Sequence, residues 1–368
     1  MIRASWQAYT LHFRQPAGTS RGYLRRRETF FLRLEAEDGT TGWGECAPIP
    51  GLSPDHRPEL AAMLDRLCAA LNRGQPVTEL TEPVEKLEEE LGLAQWPALR
   101  FALETAWLDL ARGGRQRLFD TPFTQGQAAL PIHGLIWMDS PEGLLAQVDA
   151  KVAQGFRVIK MKVGALDFAT ERQVLAEIRR RHPAEEVELR LDANGAFSPE
   201  EALARLEALA PFQIRFLEQP IRPGQWRALA ALCARSPVPI ALDEELIGHV
   251  SEGERQALLA QIRPQHLVLK PTLLGGLAPA HSWIRLAQEQ GIDWWINSAL
   301  ESNLGLSVLA QWTSHLEAGQ ALDPGQGRVH GLGTGRLFTN NLPGPIRLQG
   351  TGLVMEPGGE WDFSLVSG

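Results

Sequence analysis

Val158-Ile-Lys-Met-Lys-Val163, Leu189-Arg-Leu-Asp-Ala-Asn194, Ile214-Arg-Phe-Leu-Glu218, Pro239-Ile-Ala-Leu-Asp-Glu244 and Leu267-Val-Leu-Lys-Pro271 follow one another in the middle of the chain. Each is an apolar run ending in charge, and the charges recur about every 25 residues, the length of one strand and one helix. Helical periodicity fills the intervals and predicts helices near 168–181, 198–209, 225–234, 251–261, 278–290 and 304–316. A strand at Ile132-His-Gly-Leu-Ile-Trp137 and a helix over 141–154 precede them, and Ile292-Asp-Trp-Trp-Ile-Asn297 adds another strand. That makes seven strand-helix units, and a short eighth near 321–341 would close an α/β barrel. The rival is an open, doubly wound sheet. It would carry Gly-x-Gly-x-x-Gly after its first strand and collect its charges at one switch point, and this sequence does neither.

Outside the barrel the pattern changes. Residues 5–34 alternate like strands, interrupted by the polar segment Arg14-Gln-Pro-Ala-Gly-Thr-Ser-Arg-Gly22, which reads as a loop able to act as a lid. Asp38-Gly39 marks a hairpin turn returning through Thr41-Gly-Trp-Gly-Glu45, and Ala47-Pro-Ile-Pro-Gly-Leu-Ser-Pro54 is a second loop, stiffened by three prolines. Leu60, Met63, Leu64, Leu67 and Leu71, then Leu99, Leu103, Ala106, Trp107 and Leu110, form apolar stripes at helical spacing. Residues 1–125 are therefore expected to form an α+β capping domain and 126–341 the barrel. Residues 342–368 form a last segment, whose strand-like Ile346–Val354 run is expected to return to the capping domain.

With 368 residues, one large domain plus a smaller one is the expected size, and a net charge of −8 gives no reason to expect a nucleic-acid partner. The amino terminus lacks a basic segment followed by an apolar core, and no run reaches the roughly 18 apolar residues of a membrane span. A cytoplasmic protein without a membrane partner is expected. Nothing in the sequence sets the oligomeric state. Cys46, Cys68 and Cys233 lack metal-ligand spacing and read as reduced structural thiols. His133 and His266 have no second ligand nearby and read as satisfied core histidines. Gly331-Leu-Gly-Thr-Gly335 lacks the Lys-Ser or Lys-Thr of a phosphate cradle and reads as a turn.

Residues two apart on a strand point the same way, so Lys160 and Lys162 share a face, and repulsion between them favours loss of one proton. A lysine tuned in this way can serve as a base. Asp192, Glu218 and Asp243 end three consecutive strands, which in a barrel converge on one mouth, and three hard oxygen ligands suit Mg²⁺, with Mn²⁺ as a substitute. Lys270 ends the next strand and should lie across that metal from Lys162. Such a set fits removal of a proton next to a carboxylate, because a cation reaching both oxygens of the enediolate stabilises the transition state most.

These residues resemble the enolase superfamily. Lys160-Met-Lys162, Asp192-Ala-Asn194, Glu218-Gln-Pro220, Asp243-Glu244 and Lys270-Pro271 carry the likeness, in the muconate-lactonising-enzyme subgroup with a lysine on each face of the site. Leu269-Lys-Pro-Thr-Leu-Leu-Gly-Gly276, Ser298-Ala-Leu-Glu-Ser302 and His330-Gly-Leu-Gly-Thr-Gly335 are most similar to the o-succinylbenzoate synthase family, in its cyanobacterial and plastid branch. The resemblance implies a modified TIM barrel, with Mg²⁺ on Asp192, Glu218 and Asp243 holding a dicarboxylate, 2-succinyl-6-hydroxy-2,4-cyclohexadiene-1-carboxylate. It implies a syn-dehydration on the route to menaquinone or phylloquinone. Lys162 would remove the proton and then protonate the departing hydroxyl, Lys270 would stabilise the dianion from the other side, and Lys160 would tune Lys162. Implied substrate contacts are Asn194, Glu244, Gly275, Gly276, Asn297 and Ser298, with Arg21 a candidate for the succinyl carboxylate. The same lysines also suit an N-succinyl or N-acyl amino acid racemase or another cycloisomerase of the superfamily. A Schiff-base aldolase and a non-catalytic binding barrel are the readings from other classes.

Overall fold

The computed structural model describes residues 2–19, 22–73, 82–319 and 328–366. Three antiparallel strands come first, β1 (Ile2–Thr19), β2 (Gly22–Ala36) and β3 (Thr41–Cys46), followed by α1 (Leu60–Leu71), α2 (Glu82–Leu91) and α3 (Pro97–Ala111). The β2–β3 hairpin turns where Asp38-Gly39 predicts it, with Gly39 at φ 84° and the Asp38 carboxylate accepting from Thr40 N. β3 lies so close to α3 that side chains at Gly42 and Gly44 would strike the carbonyls of Ala106 and Ala102. The stripes of α1 and α3 meet Leu32 and Leu34 in one apolar cluster, so this unit has its own core.

The polar segment after residue 14 is strand rather than loop as far as Thr19. The β1–β2 register shifts between His12 and Ala17, and there β1 turns to the barrel instead: Arg14 N donates to Leu337 O (2.8 Å) and Thr339 N to His12 O (2.9 Å). Backbone groups left by the bulge are thus satisfied by the barrel's last turn. Arg21 lies outside the described residues.

The barrel opens with β4 (Leu130–Pro131), β5 (Gly134–Ile136), α4 (Pro141–Ala153) and β6 (Val158–Lys162). It continues through α5 (Phe168–Arg181), β7 (Glu188–Asp192), α6 (Pro199–Leu209), β8 (Phe216–Glu218) and α7 (Trp226–Arg235). Next come β9 (Ile240–Leu242), α8 (Glu252–Ile262), β10 (His266–Leu269), the short α9 (Pro271–Leu274), α10 (Leu277–Glu289), β11 (Asp293–Ile296) and α11 (Asn303–Ala318). Local chemistry starts these helices where the sequence predicts: Ser140, Asp167, Ser198, Ser251 and Ser302 each accept a backbone N–H of the first turn. Strands β5 to β11 form one parallel sheet in sequential order.

The eighth position is filled by His330 and Gly331, which bridge Ile132 on one side and Asn297 on the other. His330 pins this closure. Its Nδ1 accepts from Ile296 N (3.0 Å), so Nε2 carries the proton and donates to Glu317 (3.0 Å).

The sequence reading sends Ile346–Val354 back to the capping domain, and the structure corrects this. The run forms a hairpin, β12 (Ile346–Gln349) and β13 (Gly352–Met355), and β13 pairs with β4 of the barrel. Leu353 and Met355 join the barrel core, which satisfies an otherwise unpaired strand. The return comes later, where Phe363 stacks on Trp43 at 4.5 Å. Among the described residues no helix is long and apolar enough to cross a membrane.

A buried glutamate locks the two units together. Glu45 of β3 accepts from Thr29 Oγ1 (2.8 Å), Ser302 N (2.9 Å), Ser302 Oγ (2.6 Å) and Gly305 N (2.9 Å), capping α11 from across the interface. Glu45→Ala leaves these donors unmatched and is expected to cost about 3 kcal/mol of stability, read as a lowered urea midpoint with an unchanged slope.

Candidate active site

The lysines and the three candidate metal-binding acids singled out in the sequence sit where barrel strands end. β6 brings Lys160 and Lys162 to the mouth, β7 Asp192, β8 Glu218, the end of β9 Asp243, and the end of β10 Lys270. Lys162 and Lys270 lie four strands apart in an eight-position ring, so they face each other across the barrel.

Lys160 Nζ bridges Asp192 Oδ2 (3.0 Å) and Glu218 Oε1 (2.6 Å), and Lys162 Nζ is 3.3 Å from Asp192 Oδ2. Lys270 pairs with Asp243. Burial pushes the Lys160 pKa down, but the charges of Asp192, Glu218 and Asp243 outweigh it and hold the group protonated, above its ordinary value. Repulsion between the two lysines therefore does not decide the state of Lys160. Lys270 is also raised: burial opposes the charge, and Asp243 and Glu244 more than restore it. Burial raises the Asp192 carboxyl, yet Lys160, Lys162 and Lys270 together hold it below the carboxylate range. Glu218 is raised by burial and then by the negative charge of Asp192.

Among the described residues no group of three or more His, Cys, Asp or Glu side chains already stands in a metal-holding arrangement. The lysine ammoniums are instead drawn onto the acids. The donor set nevertheless fits a divalent cation: three hard carboxylates end adjacent strands, and Glu218 Oε2 is buried without any partner. An unpaired buried carboxylate oxygen beside two other acids is a place for positive charge.

Asn194 ties the site together. It adopts a left-handed conformation (φ 42°), its Oδ1 accepts from Lys162 Nζ, and its Nδ2 donates to Glu244 Oε1 (2.9 Å). Burial, then Asp243, pushes the Glu244 carboxyl up to about 7. Asn194, Glu244, Asn297 and Ser298 all line the pocket holding the lysines, roofed by Tyr23, Leu24 and Ile49 of the capping domain. The hydroxyl of Ser298 is already engaged, donating to Glu301 Oε2 (2.5 Å) and accepting from Thr334 Oγ1 (2.9 Å).

Gly275 and Gly276 are not on this pocket wall. They lie at the seam with α3, where Gly275 O accepts from Arg100 and a side chain at Gly276 would collide with Glu104. Glu104 caps α10 there through Leu277 N (2.6 Å) and Ala278 N (3.0 Å). Their conformational freedom serves domain docking.

Sequence reasoning missed His133. It is buried and lines the pocket, yet neither ring nitrogen has a hydrogen-bond partner. An inward-facing alternation with Leu135 and Trp137 was the available signal. His266, by contrast, packs against Phe216 and Trp295 below the pocket, although its Nδ1 is also unbonded.

Residues 143–339 match the family described as "Enolase C-terminal domain-like". The chain belongs to the enolase superfamily. An o-succinylbenzoate synthase from Desulfotalea psychrophila is 44% identical over 95% of this chain and 98% of its own, and places this superfamily member with those synthases. The crystal structure of MenC from that organism covers 96% of this chain and 99% of its own, at 41% identity and a TM-score of 0.85. An o-succinylbenzoate synthase from Thermosynechococcus vestitus is 30% identical over 74% of this chain and 77% of its own. A liganded L-Ala-D/L-Glu epimerase from Bacillus subtilis superposes with a TM-score of 0.82 over 100% and 98% of the two chains, and at 22% identity shares the fold alone.

Proposed function

We infer that this superfamily member converts 2-succinyl-6-hydroxy-2,4-cyclohexadiene-1-carboxylate to 2-succinylbenzoate by syn elimination of water. The inferred metal is Mg²⁺, replaceable by Mn²⁺, and the inferred setting is the cytoplasm, on the route to menaquinone or phylloquinone. The observation that carries the reading is the pair of opposed lysines in one pocket, Lys162 against Asp192 and Lys270 against Asp243, with Lys160 between them on Glu218, in a chain so similar to named synthases. A divalent cation on Asp192, Glu218 and Asp243 would supply positive charge to the ring carboxylate and so acidify the neighbouring C–H.

Lys162 removes that proton. Its Nζ is oriented by Asp192 and Asn194, and once the amine has taken the proton the resulting ammonium can deliver it from the same face to the departing hydroxyl, which leaves as water. Lys270 faces the other side and, held cationic by Asp243 and Glu244, balances the negative charge that builds up on the ring and carboxylate. Lys160 keeps Asp192 and Glu218 close together while leaving Glu218 Oε2 uncommitted. The apolar roof of Leu24, Ile49 and Leu52 limits water around these charges and so strengthens them.

Purified protein incubated with Mg²⁺ and the cyclohexadiene is expected to form the aromatic product, seen by chromatography and as loss of the acyl-diene absorbance. Excess EDTA should abolish turnover and added Mg²⁺ should restore it; activity indifferent to chelation would contradict the metal site. The lysines on opposite sides also favour a second reading, racemisation of N-succinyl amino acids. Rapid α-proton exchange in D₂O with those compounds, and no dehydration, would make that the function.

A further inference from the structure

One side of the pocket carries hydrogen-bonding groups that the dehydration above does not use. His133 lies just before β5, lines the pocket and is only 5% exposed, yet both ring nitrogens are unpaired. Asn297, just after β11, is equally buried and lines the same pocket with its Oδ1 unpaired. The two meet over Gly331, where a β-carbon would overlap Asn297 Oδ1 and lie 2.8 Å from His133 Nε2. Buried polar atoms are nearly always matched, so a built cleft of unmatched ones marks where a ligand completes the bonds.

The ligand's chemistry follows from position and charge. The acids lie on consecutive strands β7, β8 and β9, whereas Asn297, Gly331 and His133 occupy the neighbouring positions on the far side of the ring. A substrate whose ring carboxylate is held through a cation on those acids would have this side of the same pocket open to its other end. Arg190 and Lys160 are the charges that act most strongly on His133. Burial first, then those cations, push its pKa well below the usual value, so the ring is neutral and offers an N–H. Half a turn of the Asn297 carboxamide presents Nδ2 as a second donor. The pocket-lining Ser298 hydroxyl is committed to Glu301, so it is not a competing donor.

We propose that His133 and Asn297, whose polar ends meet where Gly331 has no side chain, receive the terminal carboxylate of the succinyl arm and select for a dicarboxylate. This rests on the o-succinylbenzoate synthase reading. His133 donates one ring N–H to a carboxylate oxygen and Asn297 donates to the other.

The test is calorimetric titration of the Mg²⁺-loaded protein with 2-succinylbenzoate and with 2-butanoylbenzoate, which has a methyl group in place of the terminal carboxylate. His133→Phe should weaken 2-succinylbenzoate binding about tenfold or more, the range for a hydrogen bond to a charged group, and leave 2-butanoylbenzoate unchanged. His133→Gln, which keeps a donor, should recover part of the loss. Equal weakening of both ligands would mean that the ring only shapes the pocket. No change for either would mean that imidazole and carboxamide bond each other, and both results overturn the subsite. Should His133→Phe not fold, imidazole ¹⁵N shifts in the wild-type protein report the same contact. They should move with 2-succinylbenzoate and not with 2-butanoylbenzoate, and equal movement with both overturns the proposal. The controlling measurement is wild-type turnover of the cyclohexadiene. If it fails, the functional reading falls; if it succeeds and the two ligands are not discriminated at His133, only the subsite falls.

Discussion

Lys162→Ala is expected to lower kcat by about 10⁴-fold or more while 2-succinylbenzoate binds within a few-fold of its normal affinity. A positioned acid or base contributes roughly 10²–10⁴-fold, and Lys162 is asked to serve as both in one turnover, first at the C–H and then at the hydroxyl. No neighbouring group can replace it. Lys160 is held by Asp192 and Glu218 at 3.0 and 2.6 Å, and Lys270 is on the opposite side against Asp243. Single-turnover formation of the aromatic product, compared with calorimetric binding of that product, separates lost chemistry from lost binding. Turnover within tenfold of wild type would remove Lys162 from the mechanism.

Lys270→Met should cost about 10²–10³ in kcat, the scale for losing one preorganised group that stabilises developing negative charge. Lys270→Arg should recover part of that loss, because the guanidinium keeps the charge while being too weak an acid to exchange protons at neutral pH. Recovery by arginine is what distinguishes an electrostatic Lys270 from a proton-transferring one. If Lys270→Arg were as inactive as Lys270→Met, and wild-type protein washed deuterium into N-succinyl amino acids, Lys270 would be a second base and the racemase reading would gain.

Much of the site was legible before any fold was known, because barrel architecture converts a one-dimensional rhythm into a place. A charged residue at the end of each apolar run must appear at the same mouth once the strands are parallel and in sequential order, and Lys160, Lys162, Asp192, Glu218, Asp243 and Lys270 all do. Less legible were residues whose role depends on neighbours remote in sequence. Gly275 and Gly276 sit in a motif with Lys270, yet Arg100 and Glu104, more than 170 positions away, decide what they do. His133 looked like a core residue because its pattern shows that it points inward, and a pattern cannot show that nothing inside pairs with it.

The ends of the chain tell the same story. The polar 14–22 segment reads as a loop and the Ile346–Val354 run as a strand, but composition does not name a partner, since any strand edge offers the same N–H and C=O groups. Geometry did: the bulge between His12 and Ala17 turns β1 toward Leu337, and β13 finds the free edge of β4.

By itself, the sequence determined local matters: where helices start, which face of each strand is apolar, and which charges close each strand. These depend on capping groups and periodicity within a few residues. The tertiary structure alone decided how those charges balance. Lys160 is held as a cation between Asp192 and Glu218, Glu218 keeps one oxygen unmatched, and the Glu244 carboxyl rises to about 7. Such states follow from burial and from ångström-scale distances between groups far apart in the chain, and Coulomb energy depends on that separation in space, whatever the separation in sequence.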